Sequence, residues 1–156
     1  MILAVATLIS AFVLVILSKK RISQLEMFTS AVFAVVLDFI VDYLLEFRYH
    51  LYGYFKTFSA DYEDLIVILG IYPLIDILFL NYYPIGKSIH KRVGYILGWS
   101  AFSVVYEWVA VQTHLFYYNG WKLIYSVPIY PLLFLILIGQ FLFIKRLKAM
   151  DTDSRT

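Results

Sequence analysis

The sequence predicts an all-α integral membrane protein, a bundle of five transmembrane helices with the N-terminus outside and the C-terminus in the cytoplasm. The composition is 62% hydrophobic and only 15% charged over 156 residues, whereas soluble domains carry roughly 45–50% apolar and about 25% charged residues. The apolar residues fall into five long runs, and most basic residues fall in alternate linkers between them. A chain of this length forms one structural unit.

The five predicted spans cover about residues 2–17, 27–47, 65–83, 93–116 and 123–144. A hydrocarbon layer of about 30 Å needs roughly 20 helical residues, so the first run spans only with little tilt. That run has no basic residue before its apolar stretch and three after it, the reverse of a secretory signal, and is predicted to be retained. The runs lack the alternation of barrel strands, which favours helices. Residues 1–149 are therefore predicted to form one transmembrane domain, and 150–156 a disordered cytoplasmic tail.

The orientation follows from the basic residues, which collect in cytoplasmic loops. Ten of the thirteen fall on one predicted side: Lys19, Lys20, Arg21, Lys87, Lys91, Arg92, Lys145, Arg146, Lys148 and Arg155. The other side receives Arg48, Lys56 and Lys122. The expected location is the cell membrane, most simply a bacterial cytoplasmic membrane, with several passes.

Carboxylates within the predicted spans are the most informative residues, because an ionisable group in a spanning helix costs roughly 2.5–3.5 kcal/mol on insertion scales. Asp38, Asp42 and Glu46 follow one another at i, i+4 and i+8 on the second helix. This spacing places them on one face. Asp76 lies in the third helix, three residues after Pro73.

The fourth helix carries a small and polar stripe at steps of three and four residues, formed by Ser100, Ser103, Glu107, Ala110 and His114. Such a face suits close helix contact. The predicted polar interior is therefore lined by Asp38, Asp42, Glu46, Asp76, Glu107 and His114. Gly94 and Gly98 form a GxxxG pattern and are candidates for a helix contact, including one between two copies of the chain.

The outer linker from Arg48 to Asp64 is rich in tyrosine and phenylalanine. Aromatic rings favour the membrane interface, so this linker is predicted to be an interfacial belt with a short surface helix, or alternatively a binding lip over an outer cavity.

Several kinds of chemistry lack sequence support. The chain has no cysteine, which excludes disulfides and thiolate metal sites. It has no nucleotide-binding loop, metalloprotease motif or serine-hydrolase motif. Hard oxygens and imidazoles are present, but without a tight ligand motif no metal is predicted, and no cofactor is expected. The formal net charge of +2 does not favour a nucleic-acid partner.

Several functions remain open for the acidic interior. One is packing alone, in which protonated or hydrogen-bonded acids fix the helix register. The leading functional hypothesis is an accessory subunit or a small ion- or proton-linked transporter, with membrane lipids, a partner membrane protein or a second copy as partners. The alternative is a membrane-embedded enzyme acting on a lipid or isoprenoid, with Glu107 and Asp42 as acid and base.

Short local patterns resemble an uncharacterised family of small multi-span membrane proteins found in spore-forming Gram-positive bacteria. The matching pieces are Tyr72-Pro73, Asn81-Tyr82-Tyr83-Pro84, Glu107-Trp108, Tyr117, Gly120-Trp121 and Tyr125-Ser126. They cover roughly the C-terminal two thirds of the chain. The resemblance implies an architecture and no reaction, and it implies that Glu107 and the turn from Tyr117 to Ser126 belong to one outer-face constellation.

Overall fold

A computed structural model of the protein describes residues 1–55 and 64–153. Helix accounts for 79% of the structure, so the predicted helical class is confirmed. The helices are α1 (Ile2–Leu17), α2 (Gln24–Asp42), α3 (Tyr72–Tyr82), α4 (Ile89–Gln112) and α5 (Leu123–Asp153). Two short strands are also present, β1 (Tyr52–Tyr54) and β2 (Phe116–Tyr118).

The helix ends differ from the predicted ones for local reasons. Helix α2 starts at Gln24 because Ser23 and Glu26 form a capping box, with the Ser23 N–H donating to Glu26 Oε2 over 2.7 Å. Helix α5 continues to Asp153, so the prediction of a disordered tail is wrong for residues 150–153. The last three residues of that predicted tail lie outside the described residues.

Two π-helical stretches lie at one end of the bundle. Helix α2 continues as a π-helix over Tyr43–Arg48, and a second π-helix over Ile66–Ile71 leads directly into α3. π-Helical turns are rare and are found frequently at functional sites. Both stretches adjoin the region in which the acidic side chains lie.

The strands β1 and β2 join two linkers that are distant in sequence. They pair antiparallel, with Tyr52 opposite Tyr118 and Tyr54 opposite Phe116. The prediction of an interfacial belt or surface helix is therefore wrong for Tyr52 and Tyr54, which are buried in this small sheet. The rest of that aromatic linker, residues 56–63, lies outside the described residues.

At the opposite end of the bundle, other linkers and termini meet. The buried Asn81, near the end of α3, accepts the Arg21 N–H at 2.7 Å and donates to the Lys19 carbonyl at 3.0 Å. The Lys148 ammonium near the end of α5 lies 3.9 Å from Glu26 at the start of α2. The α1–α2 linker, the end of α3 and the end of α5 thus share one end, while the β1–β2 sheet lies at the other.

Two helices are long and apolar enough to cross a membrane, by length and composition: Gln24–Arg48 and Leu123–Asp151. The segments Ile2–Leu17 and Ile66–Tyr82 are apolar but shorter. Helix α4 has 24 residues but is less apolar, because it begins with basic residues and carries a polar stripe.

Candidate functional site: an acid-lined cavity

A cavity of about 200 Å³ lies between the helices, beneath the β1–β2 sheet. Four carboxylates line it, from three helices: Asp38 and Asp42 on α2, Asp76 on α3 and Glu107 on α4. Most of the remaining lining is aromatic or aliphatic, and within the described chain no lysine, arginine or histidine contributes to it. The cavity is therefore a largely apolar space with four acidic groups and, within the described residues, no basic counterpart.

Asp42 is held by tyrosines from β1. It is 3% exposed, and its Oδ1 accepts a hydrogen bond from the Tyr52 hydroxyl at 2.7 Å. The Tyr54 hydroxyl lies 3.3 Å from Asp42 Oδ2 and also shares a short hydrogen bond with the Tyr72 hydroxyl of α3. These contacts form a continuous chain of protonatable groups from β1 through α2 to α3.

Glu107 is the centre of a second network. Its Oε1 accepts from the Tyr118 hydroxyl at 2.6 Å and from the Ser126 hydroxyl at 2.8 Å, and its Oε2 accepts from Tyr130 at 2.7 Å. The indole N–H of Trp121 donates to Ser126 Oγ at 2.9 Å. Strand β2, the turn after it and α5 are thereby all tied to one carboxylate on α4.

The direction of these bonds is fixed by chemistry. An indole N–H can only donate, so Ser126 Oγ must accept from Trp121 and direct its single hydrogen to Glu107. The hydroxyls of Tyr118, Ser126 and Tyr130 together occupy both oxygens of the Glu107 carboxyl group. The network therefore presents Glu107 as an acceptor.

The deeper pair, Asp38 and Asp76, is arranged differently. Asp38 has Asp76 and Asp42 as its electrostatic neighbours. Its Oδ2 is buried and has no hydrogen-bond partner within residues 1–55 and 64–153. Buried polar atoms are nearly always paired, so this oxygen in the wall of the cavity is available to a polar partner that enters the cavity.

Glu46 is buried at 2% exposure but does not line the cavity. Its Oε1 accepts the Tyr54 N–H at 3.4 Å, and its Oε2 has no hydrogen-bond partner in the described part of the chain. Asp64, buried at 3% exposure, is an electrostatic neighbour of both Asp42 and Glu46. Asp64 thus belongs to the acidic group, although the sequence placed it in a linker.

His114 does not belong to the site, so its prediction as an interior residue is wrong. Helix α4 ends at Gln112, and His114 follows with a left-handed backbone (φ 57°) and an exposed side chain. Gly94 and Gly98 are also exposed, and nothing in the described chain lies within 4 Å of either position's would-be Cβ. Their role as a contact between copies of the chain stays a prediction.

The sequence offered Tyr52 and Tyr54 of the small sheet as site residues only through the alternative of a binding lip, whereas Tyr118 lies in the turn that the resemblance joins to Glu107. Burial, followed by the nearby Asp42 carboxylate, raises the pKa of Tyr52 and Tyr54 well above the usual range. Burial and the hydrogen bond to Glu107 raise the pKa of Tyr118 as well. These hydroxyls therefore stay protonated and act as donors at neutral pH.

Within the described ranges, no group of three or more His, Cys, Asp or Glu side chains is placed to hold a metal ion. Comparison of the chain with protein-family models, with curated proteins and with solved structures finds no match.

Proposed function

We propose that this chain is a multi-pass protein of the cell membrane that acts as a small proton-linked transporter, with the acid-lined cavity as its coupling site. The observation that carries the proposal is the placement of Asp38, Asp42, Asp76 and Glu107 around one apolar cavity that no basic side chain of the described residues lines. Ionisable groups inside a membrane bundle typically mark ion or proton pathways. We also propose that the chain is related to the small multi-span membrane proteins of spore-forming bacteria that it resembles.

Five spans with the N-terminus outside are part of the proposal. Alternating spans require the α1–α2 linker, the end of α3 and the end of α5 to share one side, and the contacts of Asn81 and Lys148 support this arrangement. In the apolar windows of the two longest apolar segments, only 17% and 22% of the residues are buried within the chain. This is expected of helices that face lipid. The basic residues near the Asn81 end favour the cytoplasm for that side.

Because the chain has no cysteine, single cysteines test this topology directly. Lys20, Lys87 and Lys122 are exposed and lie in three different linkers. In intact cells, a membrane-impermeant maleimide should label Lys122→Cys, whereas Lys20→Cys and Lys87→Cys should react only after permeabilisation. Labelling of all three from outside, or of Lys20→Cys alone, would contradict the proposed spans.

The hydrogen-bond chain Tyr52–Asp42–Tyr54–Tyr72 supports proton transfer as the coupling step. Each neighbouring pair lies within hydrogen-bond distance. Tyr72 also has Asp38 and Tyr130 as electrostatic neighbours, in the direction of the deep pair and of the Glu107 network. A proton bound at one carboxylate thus has neighbours that can take it in turn.

The transport proposal is tested by proton flux in proteoliposomes. A potassium gradient with valinomycin sets the membrane potential, and an internal pH dye reports proton entry. Flux above that of protein-free vesicles is expected for the parent chain and for Asp151→Asn, an exposed control acid at the end of α5. Asp38→Asn and Asp76→Asn should lower the flux toward the protein-free level, provided that both variants elute as folded protein.

The same preparation distinguishes the other hypotheses. If flux is absent and the vesicle lipids change in composition, with loss of that change in Glu107→Gln, the lipid-acting enzyme replaces the transporter. If neither flux nor lipid composition responds, and a membrane protein that co-purifies from cells is lost with the variants, the accessory-subunit hypothesis replaces it.

A further inference from the structure

We propose that the cavity binds an organic cation, specifically a protonated amine that carries apolar substituents. This inference rests on the proposed function, because it names the substrate class of the same cavity. It draws on three features of the lining: its acidic groups, its aromatic rings and the buried Asp38 Oδ2, which has no hydrogen-bond partner among the described residues.

The charge of the lining favours a cation. Four carboxylates face the cavity, and within the described ranges no basic side chain does. The donors to Asp42 and Glu107 are neutral hydroxyls of tyrosine and serine, which stabilise a carboxylate without cancelling its charge. In a low-dielectric space this uncompensated negative field attracts a positive ligand and repels an anion.

The rest of the lining favours an organic cation. Of the 27 lining residues, nine are aromatic and eleven are aliphatic. Aromatic faces bind ammonium groups through their quadrupole, and aliphatic walls take up apolar substituents. Hard inorganic cations instead need several oxygen ligands that converge at one point, an arrangement not found in the described part of the chain.

The unpaired oxygen favours an amine that retains an N–H. Asp38 Oδ2 is buried without a hydrogen-bond partner in the described chain, and Asp38 lies in the cavity wall. A protonated amine would donate to this oxygen and neutralise one of the two neighbouring acids. Since a proton and an ammonium compete for the same carboxylate, binding of the amine is linked to proton release, as a proton-linked exchange requires.

The test is calorimetric titration of the detergent-purified full chain at pH 7.5. The probes are N,N-dimethylbenzylamine, which is a cation at this pH, neutral benzyl alcohol and anionic benzoate. We expect saturable binding of the amine and at least about tenfold weaker binding of the other two. Equal binding of the amine and benzyl alcohol, or tighter binding of benzoate, would overturn the proposal.

Matched variants locate the site. Asp38→Asn should weaken amine binding by about tenfold or more, since it removes the ionisable group and keeps the shape, whereas Asp151→Asn should leave it unchanged. Phe116→Leu removes an aromatic ring from the lining and should weaken binding several-fold, even if Asp38→Asn fails to fold. Unchanged binding in both folded variants would refute the assignment of the amine to this cavity.

This binding assay and the flux assay fail independently. Amine binding without proton flux would keep the ligand class and refute the transporter. Proton flux without amine binding would keep the transporter and refute the organic cation as its substrate.

Discussion

Ser126 offers a sharp test of the Glu107 network, because one hydroxyl serves two partners. It donates to Glu107 Oε1 at 2.8 Å and accepts from the Trp121 indole at 2.9 Å. The substitution Ser126→Ala removes both bonds and leaves the backbone of α5 unchanged. Ser126 is 4% exposed, so bulk water has little access to replace the hydroxyl.

The expected cost follows from the two lost bonds. A hydrogen bond to a charged group contributes about 1.5–3 kcal/mol, and an unsatisfied donor such as the Trp121 N–H costs about 1–3 kcal/mol when fully buried. Trp121 is only partly buried, so the lower part of the second range applies. Alanine's better helix propensity returns about 0.5 kcal/mol. The free energy of unfolding should therefore fall by about 2–4 kcal/mol.

Tyr118→Phe is the matched control, because Tyr118 donates to the same Glu107 oxygen but no indole depends on it. Its side chain is also partly exposed, and a loss of about 1 kcal/mol is expected. Unfolding by sodium dodecyl sulfate in mixed micelles, followed by far-ultraviolet circular dichroism, measures both variants. If Ser126→Ala lowers the free energy of unfolding no more than Tyr118→Phe does, the two hydrogen bonds of Ser126 do not stabilise the fold as proposed. Ser126→Thr keeps a hydroxyl and should recover most of the lost unfolding free energy.

Further predictions concern both ends of the bundle. Asn81→Ala should lower the unfolding free energy by about 2–3 kcal/mol in the same assay, because it removes both hydrogen bonds to the α1–α2 linker; a change below about 0.5 kcal/mol would contradict that role. Gly53→Ala should cost about 1 kcal/mol, since its Cβ would overlap the Tyr117 ring, which must swing aside; an unchanged unfolding curve would show that the ring moves freely. The raised pKa of Tyr118 means that unfolded chains lose this proton near pH 10 while folded chains keep it. The contribution of Tyr118 to stability should therefore be constant below about pH 10 and fall as the pH rises beyond it, measured by the same unfolding assay over a series of pH values. Tyr118→Phe should make that fall less steep.

Helix periodicity accounts for much of the candidate site. The spacing of Asp38 and Asp42 put both on one face of α2, and the stripe on α4 put Glu107 on an inward face. The structure places all three in the wall of one cavity. The physical reason is general, because charged groups on a helix are costly outside a polar or protein environment, so their common face indicates the interior.

The same periodicity was misleading at His114, because it was continued beyond the end of the helix. Helix α4 ends at Gln112, and the Leu115 N–H returns to the Ala110 carbonyl at 2.9 Å. The left-handed backbone at His114 permits this return. Glycine or asparagine usually marks such a position, so histidine gave no local signal for the helix end.

The β1–β2 sheet could not be predicted for a different reason. Three-residue strands show no useful alternation, and each strand is stable only against its partner in a distant linker. Tyrosines in an interfacial belt and tyrosines buried on carboxylates also look alike in a sequence. Only a tertiary contact distinguishes the two kinds of tyrosine. Here it is the hydrogen bonds that the Tyr52 and Tyr54 hydroxyls donate to Asp42.

The acids divide into two groups according to how they are satisfied, and this division separates packing from function. The hydrogen bonds of Asp42 and Glu107 hold the β1–β2 sheet and α5 to the bundle, so their loss should first affect stability. Asp38 has a buried oxygen without a hydrogen-bond partner in the described chain, so it contributes little to holding the fold. Asp38→Asn should therefore change the unfolding free energy by less than about 1 kcal/mol while it removes amine binding and proton flux. If Asp38→Asn instead destabilises the chain as much as Ser126→Ala, the Asp38 carboxyl group has a packing role, and its buried Oδ2 no longer argues for a ligand in the cavity.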